Sequence, residues 1–258
     1  MTDSAAASSA QSGAGLQPPA SGRRMSPVAR IFGVFYAPVA TFEDIAREPH
    51  FILAWVVLIV CSILMGYTLV HRVGPAELAR QMVAAGGARM QSLPADQMQR
   101  AVALDTKIAP IIFQALPPVF VIIFTLVLAA IFLAVENFLL GQSVRYKGVL
   151  GVVAHAYLPN ALMALLVVLI LFLRADPTGV NFQAPIGSNA LFYADPSTTS
   201  PVMSKLLSQI DLFGFWIMAL LALGLAKLGN KLKFATTLGV IVGLWIVWVL
   251  FSVGMAAL

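Results

Sequence analysis

The sequence predicts an all-α fold: a polytopic membrane helix bundle with five transmembrane helices, N-terminus cytoplasmic and C-terminus external. Three observations predict it. Five apolar runs, at 51–73, 119–140, 149–173, 212–228 and 234–258, each come near the roughly 20 residues a helix needs to cross a bilayer. Of 258 residues, 60% are hydrophobic and 10% charged, with mean hydropathy +0.90, where a soluble domain carries about a quarter charged residues. The basic residues lie mostly beside the runs or at their ends.

The first 27 residues are rich in Ser, Ala, Gly and Pro. Such a tail buries too little apolar surface to offset its ordering entropy, so disorder is expected. No signal peptide is expected either, because the first apolar run begins only at Phe51. Residues 28–47 form an amphipathic lead-in. Ile31, Phe32, Phe35, Pro38, Phe42 and Ile45 supply its apolar mass and Arg47 closes it. Thr41 followed by Asp44 resembles a capping box that starts a short helix. These pieces are too short to span and too apolar for free solution, which points to an interfacial position or to packing on the ends of the spans.

Between the first two spans, residues 74–108 place Pro75 and Pro94 ahead of two amphipathic patterns separated by Gly86-Gly87. A pair of short helices joined by a turn is expected there. Pro110, Pro117 and Pro118 predict an entry kink or an interfacial lead-in to span two. Span three carries Pro159 and Asn160, which should interrupt it. Residues 174–209 contain Pro177, Pro185, Pro196 and Pro201 and read as an irregular surface loop without a core of its own. In span five, Gly239 and Gly243 are spaced for close helix approach, within the bundle or in a homo-oligomer.

Orientation follows from the basic residues. Arg23, Arg24, Arg30 and Arg47 precede span one, Arg145 and Lys147 join spans two and three, and Lys227, Lys231 and Lys233 join spans four and five. The positive-inside rule assigns these segments to the cytoplasm and the two long loops to the outside. The net charge of +5 is therefore a topology and lipid signal, and no basic cluster supports nucleic-acid binding. The single cysteine, Cys61, excludes an intramolecular disulfide and a cysteine-based metal cluster. His50, His71 and His155 are too dispersed for a metal site, and no cofactor is expected.

Charge within a span costs roughly 2.5 to 3.5 kcal/mol on insertion scales, so Glu136 near the end of span two needs a reason. His155, at similar depth in span three, can contact it, and Asn137 and Asn160 can extend a polar patch. One reading is a proton- or cation-responsive site; the other is a hydrogen-bonded clamp between helices, or a Glu136 that reaches the headgroups. No metalloprotease helix, serine elbow, P-loop or dinucleotide fingerprint occurs, so an enzyme is not expected.

Short segments in order along the chain carry a family resemblance. They are Arg30-Ile-Phe-Gly-Val-Phe-Tyr-Ala-Pro38 with Thr41, Phe42 and Ile45; Gly141-Gln-Ser-Val-Arg-Tyr-Lys147 with Ala154-His-Ala-Tyr-Leu-Pro159; and Asp211-Leu-Phe-Gly-Phe-Trp216 with Leu223-Gly-Leu-Ala-Lys227. Together they resemble the Yip family, five-span membrane proteins first known as partners of Ypt/Rab GTPases, in its bacterial branch. The Asp-Leu-x-Gly-Pro segment of the eukaryotic members is absent, so the resemblance does not extend to Rab binding. It implies a multi-pass protein of a bacterial inner membrane. Two functions are expected from residues and resemblance together. The first is a membrane scaffold or adaptor that meets lipids or a protein partner through its cytoplasmic face. The second is a small permease or channel built around Glu136 and His155.

Overall fold

The computed structural model describes residues 24–85, 93–195, 198–229 and 232–256. The expected disordered tail lies outside them except for its last few residues, and so do Gly86, Gly87 and Lys231. The lead-in is two helices. α1 (Pro27–Tyr36) starts where the Ser26 hydroxyl accepts from the Ala29 N–H at 3.1 Å, with proline in its first turn. α2 (Pro38–Arg47) also opens on a proline, so the expected capping box at Thr41 does not form. Thr41 lies inside the helix, where its hydroxyl donates to the Ala37 carbonyl at 3.0 Å, and Asp44 is taken by Arg30. The fixed φ of Pro38 starts the helix earlier than the side-chain cap would.

α3 (Ile52–Arg72) follows the first apolar run closely. Gly74, at φ 94°, turns the chain into α4 (Pro75–Ala85), a conformation that costs a residue with a Cβ. α4 packs on α5 (Ala95–Pro110), giving the expected pair of short helices. Where a kink or an interfacial lead-in is expected, the chain enters span two through a wider helical turn. α5 continues through a π-turn at Ile111–Ala115 into α6 (Leu116–Ala134), then a second π-turn at Val135–Leu139. Pro117 and Pro118 have no N–H to continue the ordinary ladder, and the Leu116 N–H reaches back to the Ile111 carbonyl. Gly141 (φ 63°) reverses the chain into α7 (Tyr146–Ala156). α7 breaks at Tyr157, and α8 (Leu158–Leu173) resumes with Pro159 in its first turn, as the sequence predicts.

The 174–209 segment departs from expectation. It contains a 3₁₀ turn (Ala190–Tyr193) and α9 (Pro201–Leu207), and Val180 and Ile186 join a buried cluster with Leu69, Leu78, Leu171 and Phe213. Gln81 pins it to α4: its Nε2 donates to the Val180 carbonyl at 3.1 Å and its Oε1 accepts from the Phe182 N–H at 3.0 Å. These apolar residues follow no helical or strand period, so the sequence hides their packing. α10 (Leu212–Leu228) starts where Asp211 accepts from the Phe213 and Gly214 N–H groups at 2.7 and 3.2 Å. α11 (Phe234–Ala256) ends the described chain.

Among the described residues, four helical stretches are long and apolar enough to cross a membrane: Ile52–Arg72, Ala95–Leu139, Tyr146–Leu173 and Phe234–Ala256. α10 is apolar but has 17 residues. α7 is the most enclosed element, with Gly148 through Ala156 all buried. Its small residues permit close helix approach, the main source of packing energy where lipid replaces water. Gly151 faces Ile45 and Pro49 of the lead-in. Gly224 of α10 lies against Val152 and the Phe42 ring. Gly239 and Gly243 differ: a Cβ on either would meet nothing within 4 Å, so that pair faces outward and does not pack within the bundle.

Candidate functional site

The lead-in is docked by polar and apolar contacts together. Arg30 and Asp44 are both buried and form an ion pair at 2.6 Å. The same guanidinium donates to the Glu48 carbonyl at 3.0 Å and lies 3.3 Å from His50 Nδ1. This fork ties α1 to α2 and to the segment before α3. Phe42 and Ile45 are fully buried against α7 and α10. Phe35 meets Trp216 edge-on at 5.6 Å, and Lys227 Nζ donates to Glu43 at 2.7 Å.

This corrects the expected interfacial face. Ile31, Phe42 and Ile45 are bundle core, Phe35 is half-buried, and Pro38 is a helix start. Of the expected set, Phe32 and Arg47 are exposed. The outward apolar face is instead Val28, Phe32, Tyr36 and Val39, with Phe32 61% and Tyr36 73% exposed. Arg145, Lys147 and Lys233 are exposed as well, and α7, which Arg145 and Lys147 introduce, packs on both lead-in helices. Lys227 is partly withdrawn from this basic set by its pairing with Glu43.

Glu136 and His155 both turn inward, at 1% and 2% exposure. Glu136 continues the buried stripe Thr125, Ala129 and Phe132 of α6. The two side chains do not form the expected hydrogen bond. His155 Nδ1 lies 2.8 Å from the Gly151 carbonyl of its own helix. Both Glu136 oxygens are buried and have no hydrogen-bond partner among the described residues. Asn137 closes the turn instead of extending a patch: its Oδ1 accepts from the Val144 N–H at 2.9 Å and its Nδ2 donates to the Val144 carbonyl at 3.2 Å. Asn160 lies beyond the helix break, and its side chain has no hydrogen bond among the described residues.

The model of the Yip1 domain matches residues 32–258. The chain belongs to the Yip1 domain family. Neither the curated proteins nor the solved structures contain a match. Membership makes it a multi-pass membrane protein of a family of generally non-enzymatic membrane-trafficking proteins. The match begins at Phe32, inside α1, so the docked lead-in belongs to the Yip1 domain rather than to a separate tail.

The buried Arg30–Asp44 pair is not among the sequence-based expectations, in which Arg30 is a topology signal and part of a family segment and Asp44 belongs to a cap. A cue was present. Arg30 shares a helix face with Ile31 and Val34, and Asp44 shares one with Thr41 and Ile45, all buried. A charge within each apolar stripe of two consecutive short helices calls for a partner on the other.

Proposed function

We propose that this Yip1-domain protein is an integral membrane scaffold or adaptor with five spans. In this reading the lead-in end faces the cytoplasm of a bacterial cell, and its outward face organises lipid or recruits a protein partner. One observation carries the reading: docking of the lead-in buries Phe42 and Ile45 yet leaves Val28, Phe32, Tyr36 and Val39 uncovered. Apolar burial at an interface, assisted by basic residues worth about 1 kcal/mol each near an anionic surface, supplies the binding energy. The exposed Arg47, Arg145 and Lys147 provide that charge.

The test compares wild type with the pair Phe32→Asp and Tyr36→Asp, by affinity capture from mild detergent with identification of bound protein and lipid. Both side chains are exposed, so thermal stability stays unchanged while capture is lost. Phe42→Asp, which places a charge in the core, lowers stability and reports the contrast. Capture that survives the exposed pair removes this face from the account.

A second reading, a small permease around Glu136, draws support from its two buried, unpartnered oxygens. A buried polar group without a partner costs about 1 to 3 kcal/mol or more, and ionisable groups at membrane depth mark ion pathways. Proteoliposomes loaded with a pH-sensitive dye test it: proton flux lost in Glu136→Gln supports transport, and equal flux in empty vesicles and in wild type discards it.

A further inference from the structure

At the end of the bundle opposite the lead-in, α4 and the 174–209 segment with its α9 line a half-open cavity of about 360 Å³, where Gln183 and Lys205 are exposed. That lies within the roughly 300 to 1,000 Å³ of small-molecule sites. Glu77 and Lys205 are the charged residues in its wall. Glu77 is already satisfied: one oxygen pairs with Arg80 at 2.9 Å and the other accepts from Gln81 at 3.2 Å. Gln81 is itself fixed by the backbone of residues 180 and 182. Lys205 Nζ, Asn181 Nδ2, the Gln183 side-chain amide and the Ser204 hydroxyl have no hydrogen-bond partner among the described residues, while the Gln183 backbone N–H donates to Asn181 Oδ1 at 2.9 Å.

The uncommitted groups are thus mainly donors with one uncompensated cation, while the wall carboxylate is neutralised. We propose that this cavity binds a small anionic, phosphate-bearing group, with Lys205 as its charge partner and Asn181, Gln183 and Ser204 as hydrogen-bond donors. Charge-assisted hydrogen bonds to phosphate are the strong ones. Ala256, at the far end of α11, also lines the cavity. The cavity therefore reaches the end of the last apolar helix, a position open to a phospholipid headgroup as well as to a dissolved phosphate ester. The proposal does not depend on the scaffold reading.

Native mass spectrometry of the full chain in detergent tests it, with phosphatidylglycerol, glycerol 3-phosphate and, as a zwitterionic control, phosphatidylcholine. An anionic probe binds above the control, and Lys205→Gln weakens it about tenfold or more. Asn181→Ala weakens it less, and Lys107→Gln, at an exposed lysine of α5 outside the cavity wall, changes nothing. Phosphatidylglycerol alone identifies a lipid headgroup as the source; glycerol 3-phosphate binding identifies a dissolved ester. The proposal is overturned if neither anionic probe exceeds phosphatidylcholine, or if Lys205→Gln binds like wild type.

Discussion

Removing the Asp44 carboxylate should undock the lead-in. The pair it forms with Arg30 is short, 2.6 Å, and its side chains are only 3% and 10% exposed. Asp44→Ala leaves a guanidinium buried with the Glu48 carbonyl as its main remaining acceptor. Breaking a buried pair by deleting one partner costs about 3 to 5 kcal/mol, chiefly from the uncompensated charge. The retained bond to Glu48 favours the lower end, and about 3 kcal/mol raises the undocked population about 150-fold. Hydrogen exchange of the α1 and α2 amides reads this directly, because those amides lose protection while the α7 core keeps its own. Replacing both partners, Arg30→Met with Asp44→Leu, removes the orphan charge and restores protection to within about 1 kcal/mol of wild type. Unchanged protection in Asp44→Ala would refute the claim that the pair holds the lead-in. A double variant as labile as the single one would refute the orphan-charge explanation.

Further outcomes follow from contacts elsewhere. Gly66→Ala places a Cβ onto the Phe113 carbonyl oxygen, 2.7 Å from its carbon. Backbone cannot swing aside, so thermal unfolding should show a loss of about 1 to 3 kcal/mol or more, whereas Gly239→Ala and Gly243→Ala, in open space, should leave the monomer's midpoint in place. Lys227→Ala removes a half-exposed pair with Glu43 and should cost at most about 1 kcal/mol, shrinking as salt is added. Reporter fusions after Arg145 should read cytoplasmic and those after Asn189 external, as the basic turns require; the reverse pattern would overturn the orientation.

The chain's membrane character, its apolar helices and the break ahead of Pro159 were legible from the sequence alone. Each is a local consequence of hydropathy, length or proline chemistry, and neither distant partners nor packing are needed to read them. The short helices at Pro75 and beyond Pro94 belong to the same class. Tertiary structure decided which side of the lead-in is core. Phe32 and Phe42 are equally apolar, and only the approach of α7 and α10, permitted by Gly151 and Gly224, buries one and exposes the other. The ion pair between Arg30 and Asp44 depends on the turn at Ala37 between two helices, which no periodicity encodes. The packing of Val180 and Ile186 into a buried cluster depends on side-chain hydrogen bonds from Gln81 to a segment about a hundred residues away. The same long-range meeting of α4, the outer segment and α9 creates the donor-lined cavity. Hydropathy acts on neighbours in the chain, whereas a binding face or cavity is made by elements that meet only once the chain has folded.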